Sequence, residues 1–294
     1  MRSALVRWAA IGLFTGSAAH AAPRGPLIAT PAGPWAMDYA ADSCRLARRF
    51  GSGDDSIFFY IERFAPSAGQ FVLVAGNPLA RLRGKSVGLR FSPDGPISDK
   101  LVFWGKHGEF DPALIAPSVW LVEKPENEDE DLAGLGPFSR RVTPEREKAI
   151  DAVDVVASKR PAVRLALGSM GPAFAAMRKC TDELVTHWGL DVEAHRHLTR
   201  AAVPKGNPGK WVSSEDYPTE AIRKGAQGVI PFRLIVGEDG VPTDCRLQRP
   251  TEPAEFNEVV CRILMKRARF EPALDASGKP IKSYWSSTFN FYIG

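Results

Sequence analysis

Apolar and polar positions alternate most regularly in the last third of the chain. Ile230, Phe232, Leu234 and Val236 fall on one side of a period-two run, and Val241, Thr243, Cys245 and Leu247 alternate after Asp239-Gly240, a dipeptide that favours a tight hairpin turn. Phe256, Val259, Val260, Ile263 and Leu264 then recur at helical spacing, and Trp285, Phe289, Phe291 and Ile293 alternate with Tyr284, Ser286, Thr288, Asn290 and Tyr292. Pro218 opens a short helix that Gly225 ends. The stretch therefore predicts a helix, a two-stranded hairpin, a second helix and a terminal strand. Pro231 inside the first strand points to an edge or a bulge, and Arg233, opposite the apolar side, points to a face wetted by solvent.

Upstream, short aromatic or β-branched runs at 37–50, 57–61, 71–74, 86–91, 101–104 and 119–122 are divided by Gly, Pro, Asp and Ser. This rhythm predicts a sandwich or a strongly curved sheet, with order beginning at Trp35. An acidic run at 126–131 lacks the glycine and terminal glutamate of a helix-loop-helix calcium site and reads as a solvated loop. Apolar alternation returns at Ile150, Val153, Val155 and Val156 and again at 162–167. A helix then begins near Pro172 with Ser169 as candidate cap, and Phe174, Met177, Thr181, Leu184 and Trp188 form its buried stripe. The fold class is α+β: a β-rich domain with a packed helix at 35–198, a Pro/Gly-rich linker at 199–210, and a small helix, hairpin, helix and strand domain at 211–294.

Charge and cysteines place this architecture. The net charge of +4 includes Arg2 and Arg7. Residues 1–21 have a basic start, a short apolar middle diluted by Gly12, Thr15, Gly16 and Ser17, and a small-x-small end. That is the pattern of a cleaved secretory leader, since a membrane span wants about 20 apolar residues. The mature chain then carries too little charge to argue for nucleic acid and has no stable membrane span. An alternative keeps residues 5–19 as an anchor. Four cysteines allow three pairings, and the simplest for an exported chain is one bridge per domain, Cys44 with Cys180 and Cys245 with Cys261. In the chain-entropy model the shorter loop contributes about 3 kcal/mol and the longer one somewhat more.

Candidate chemistry is sparse. No Cys-x-x-Cys or Cys/His spacing suits a metal, and His187, His195 and His197 read as solvated surface residues. Ser169 lacks the Gly-x-Ser-x-Gly frame of a nucleophile turn. No catalytic residue, metal or cofactor is expected; an envelope enzyme in the first domain is kept as a minor alternative without an acid, base or nucleophile set.

Tyr217-Pro218, the Ala221 to Gly225 to Gly228 spacing, Glu238-Asp239-Gly240-Val241, the block Lys266-Arg267-Ala268-Arg269-Phe270-Glu271-Pro272-Ala273 and Gly278-Lys279-Pro280 occur in this order. Together they resemble the C-terminal domain of TonB-type energy transducers over about residues 211–294. The resemblance implies a periplasmic domain that adds a strand to the TonB box of outer-membrane receptors, so that force from the inner membrane opens the receptor plug. It assigns Tyr217 and Pro218 as contact or positioning residues, and Tyr284, Ser286, Thr288, Asn290 and Tyr292 to a receptor-facing edge strand. An exposed edge is a template for an extended peptide. Two features depart from the family's transducers: a cleaved leader, folded domain and short linker replace the membrane helix and long spacer, and 249–253 replaces a Ser/Gly-rich turn. The expected protein is a periplasmic binder of an extended segment of an envelope protein, such as a TonB-dependent receptor. A membrane-anchored transducer is the alternative.

Overall fold

In a computed structural model of the chain, residues 25–66, 69–99, 102–121, 142–225, 228–249 and 255–291 are described. The leader at 1–21, the acidic run at 126–131 and Tyr292 lie outside the described residues.

Two sheets build the first half. Its strands are β1 (Leu27–Ala29), β2 (Ala36–Tyr39), β3 (Cys44–Phe50), β4 (Ile57–Arg63), β5 (Gly69–Ala75), β6 (Val87–Ser92), β7 (Phe103–His107), β8 (Phe110–Trp120), β9 (Ala152–Ala157) and β10 (Arg160–Ala166). A six-stranded sheet runs β2-β3-β4-β5-β8-β7, and a four-stranded one runs β1-β10-β9-β6. Ile57, Phe59 and Ile61 of β4 share one core with Leu89, Phe91, Val153, Val155, Val163 and Leu165 of the smaller sheet. Phe58 and Tyr60 join Phe71 and Leu73 in a second cluster on the opposite face of the larger sheet. A strand covered on both faces gains from apolar residues at every position, which is why β4 does not alternate.

Helices α1 (Pro144–Ala149), α2 (Gly171–His187) and α3 (Val192–Arg196) accompany these sheets. Helix α2 lays Phe174, Met177, Cys180 and Leu184 into the shared core, and the Cys44–Cys180 disulfide fastens it to β3. Its N-cap is Met170, without a side-chain cap bond, so Ser169 does not cap it. Helix α1 was not anticipated, although Thr143-Pro144 carries its signal: the Thr143 hydroxyl accepts from the Arg146 amide at 3.2 Å, and proline suits a first helical turn. Its Glu147 is 1 % exposed and pairs with Arg63 and Arg178. Order also begins before Trp35, because β1 lies parallel to β10 in the register Leu27 to Val163. Three residues hold no period; only the distant strand makes them one.

The last third contains β11 (Val203–Pro204), α4 (Thr219–Arg223), β12 (Gly228–Val236), β13 (Pro242–Leu247), α5 (Glu255–Arg267), β14 (Phe270–Glu271), β15 (Ala273–Leu274), β16 (Pro280–Ile281) and β17 (Ser283–Phe291). The main sheet has the order β13-β12-β17. One face carries Ile230, Phe232, Leu234, Val236, Trp285 and Phe289, packed against Phe256, Val260 and Leu264 of α5. The Cys245–Cys261 disulfide joins β13 to α5. Residues 199–205, assigned to a linker by composition, are bonded to this module: β11 pairs with β14, Thr199 donates its amide to Leu274, and Lys205 donates to Arg269 at 2.7 Å.

Pro231 stands in the central strand rather than at an edge. The Gln248 amide donates to the Pro231 carbonyl, so the polar side of Pro231 faces β13 just beyond that strand's last paired residue, Leu247. The missing N–H falls where the ladder ends, and the β17 side is untouched.

Gly240 has φ of +79°, and the Phe270 amide donates to its carbonyl. A Cβ there would overlap the Phe270 carbonyl oxygen. Gly240→Ala is therefore expected to lower stability by about 2 kcal/mol or more through backbone strain and overlap, read as a lower denaturation midpoint at unchanged slope.

Candidate functional site

The ladder between β12 and β17 sets the geometry of the edge. Its register runs from Gly228 opposite Phe291 to Val236 opposite Ser283. In antiparallel pairing a residue's N–H and C=O point to the same neighbour, and the side alternates along the strand. Since Pro231 faces β13, Ile230, Phe232, Leu234 and Val236 face β17. Their partners Phe289, Ser287, Trp285 and Ser283 are bonded inward. The backbone groups of Tyr284, Ser286, Thr288 and Asn290 consequently point away from β12, and no strand lies beyond β17 among the described residues.

The second face of this sheet is covered. Arg233 was expected to be wet; it is 5 % exposed, because the first half of the chain lies over it. Its guanidinium stacks 4.3 Å from the centre of the Trp188 ring and pairs with Asp42 at 3.5 Å, while Arg246 meets the same carboxylate at 3.2 Å. Burial, helped by the neighbouring Arg246 charge, lowers the pKa of Arg233, and Asp42 and Asp244 oppose that effect. Ile235 and Tyr284 join Ala65, Val185 and Leu190 in an apolar cluster between the two halves.

Beyond β13 the chain reaches further into the first domain. Gln248 donates to the Phe64 carbonyl at 2.6 Å. Arg249 lies 4.1 Å over the Phe71 ring, donates to the Tyr60 hydroxyl at 2.8 Å and pairs with Glu62. Glu62 is 2 % exposed and also accepts from Ser43 at 2.8 Å and Arg45 at 3.1 Å. Burial raises the Tyr60 phenol pKa against the opposing pull of Arg249, so it serves as a neutral hydroxyl.

His195 was also expected at the surface. It is 2 % exposed. Its Nδ1 lies 2.6 Å from the Asp191 carbonyl, which can only accept, so Nδ1 carries the proton; Nε2, 3.1 Å from Ser283 Oγ, accepts from that hydroxyl. Burial lowers the histidine pKa, favouring this neutral form.

The anticipated contact residues are thus distributed unevenly. Tyr284 is 2 % exposed, with its ring 5.0 Å from Trp188 and 5.9 Å from His195, so its side chain is engaged by the first domain. Ser286 is half-buried opposite Arg233, and Thr288 is exposed opposite Pro231. Asn290 belongs to the outward-pointing series through its backbone. Tyr217 packs on Phe256 at 5.5 Å, beneath the α5 face, and Pro218 is the N-cap of α4. Tyr217 therefore stands on the opposite side of the sheet from the Tyr284, Ser286 and Thr288 side chains. Asp42 and Glu62 carried no expectation from the sequence; Trp188 was expected only in the buried stripe of α2 and Arg249 only in a turn, neither at an interface. Glu62, a lone carboxylate in an apolar strand, was the available signal.

Among the described residues no group of three or more His, Cys, Asp or Glu side chains is placed to hold a metal, and no helix is long and apolar enough to cross a membrane. The chemistry on offer is backbone hydrogen bonding along an edge.

Beside Tyr217, Asp216 receives two bonds from Arg267, at 2.6 and 3.1 Å, and one from the Ser213 amide at 2.7 Å. The Arg267 bonds chiefly, then the Ser213 amide, hold its carboxyl at about 2 against an ordinary 3.8. A depressed carboxyl stabilises the fold above its unfolded value and loses that contribution as pH falls toward the folded value. Asp216→Asn should flatten the stability profile between about pH 4 and pH 2, measured by denaturation at a series of pH values. Across the interface, Arg249→Ala leaves Glu62 buried with less compensation. A loss of about 2 kcal/mol is expected, with Arg249→Lys recovering only part because it lacks the planar fork; urea denaturation of both variants checks this.

The family model described as Gram-negative bacterial TonB protein C-terminal matches residues 213–293. It covers α4 through β17, less than a third of the chain. No curated protein matches the chain.

Proposed function

We propose that this chain, whose residues 213–293 match the TonB C-terminal family, works in the periplasm as a binder that takes up an extended segment of an envelope protein, such as an outer-membrane TonB-dependent receptor, as an added strand on β17. One observation carries the reading: β17 is the end strand of its sheet, and its register directs the backbone groups of Ser286, Thr288 and Asn290 away from β12. Main-chain bonds along such an edge supply affinity, while alternate side chains supply selection. The family match supports the partner class. Two disulfides and the leader pattern at 1–21 support export to an oxidising compartment.

The first domain changes what the module does with a captured strand. Asp42 and Glu62 hold the second face of its sheet, so the partner is gripped against a folded body instead of at the end of a long tether.

All four native cysteines are paired, so Thr288→Cys introduces a single free thiol on an exposed position. Disulfide adducts with cysteines placed in receptor N-terminal segments are expected in intact cells, and their complete absence would sink the reading. Thr288→Pro removes an N–H that points off the sheet and takes no part in the β12 ladder. Folding should survive that change, and capture should be lost.

A further inference from the structure

The edge of β17 is open along only part of its length. Tyr284, Ser286, Thr288 and Asn290 form one outward-pointing series, yet exposure rises sharply along it: Tyr284 is 2 % exposed as a whole residue, Ser286 is half-buried and Thr288 is exposed. The peptide groups of an edge residue can be that buried only when something other than a strand covers them.

The cover is the corner between α2 and α3. Trp188, at the end of α2, meets the Tyr284 ring edge-on, and Val185 and Leu190 pack in the same cluster. His195 of α3 stacks near Tyr284 and also touches the Ser283 hydroxyl at 3.1 Å. Ser283 and Tyr284 are consecutive, so their side chains leave opposite faces of the sheet. The His195 ring therefore meets side chains from both faces at the first two residues of β17.

We propose that the α2–α3 corner is a built-in stop on strand addition. It closes the edge at Tyr284 and leaves it open from Ser286 onward, so the partner segment is short and its register is set by the first domain. This rests on the strand-addition reading above. Among the described residues, the edge between Ser286 and Phe291 offers three outward-pointing residues, Ser286, Thr288 and Asn290. At roughly 3.3 Å per residue this is about 20 Å of template. An extended segment of about six residues exhausts it, and residues added at the stop end meet the Trp188 and His195 rings.

Such a stop removes a weakness of edge pairing. A strand offered a long uniform edge can slip by two residues and keep the same faces. A closed first position leaves one full-length alignment, so the first domain acts as a specificity element for a module it also supports.

Residue-resolved amide hydrogen exchange on the full chain, free and with capped alternating Thr-Val peptides of increasing length, tests this. Without peptide, the Tyr284 amide should exchange roughly 100-fold more slowly than that of Thr288, although both point away from β12. Affinity should rise about tenfold from four residues to six and change less than about twofold from six to ten. Comparable exchange at Tyr284 and Thr288, or affinity that keeps rising through eight and ten residues, would overturn the stop while leaving strand addition intact. Failure of every peptide length to bind, with Tyr284 protected, would overturn strand addition itself and this inference with it.

Discussion

The buried Glu62 carboxylate is the interaction from which the arrangement of the two halves follows. A carboxylate withdrawn from water needs several donors to offset its lost hydration, and the first domain supplies Ser43 and Arg45. Arg249 completes the set from the other half. Asp42 repeats the device along the seam by meeting Arg233 and Arg246. A three-stranded sheet with one helix must leave its second face to water or to another body. Here the second face is the inner wall of a domain interface.

That interface decides which part of the edge remains for a partner. The α5 helix covers one face of the module and the first domain covers the start of the other, so exposure is confined to the far stretch of β17 around Thr288. The role proposed for that stretch is binding by backbone geometry. The carboxylates and arginines that look reactive in isolation, such as Glu62, Glu147 and Arg63, hold elements together.

Legibility differed between local and distant features. The hairpin at Asp239-Gly240, the apolar stripe of α5 and the alternation of β17 are nearest-neighbour patterns, and each stands where the period placed it. The capped start of α1 is equally local, carried by Thr143-Pro144. Strand β1 was not readable: its three residues become a strand through β10, far along the chain.

For the site, the sequence by itself determined the order of elements, the β17 strand and the two faces of its sheet, because side-chain alternation needs only local periodicity. It could not tell which face would be wet. Arg233 and His195 were read as exposed on polarity, Tyr284 as receptor-facing by family resemblance, and all three are buried. Polarity predicts exposure only until a complementary surface arrives; Asp42 and Glu62 stand 191 and 187 residues from the arginines they meet, and Trp188 comes from a different domain than Arg233. Only the tertiary structure brought them together, and with them it settled where the edge is covered.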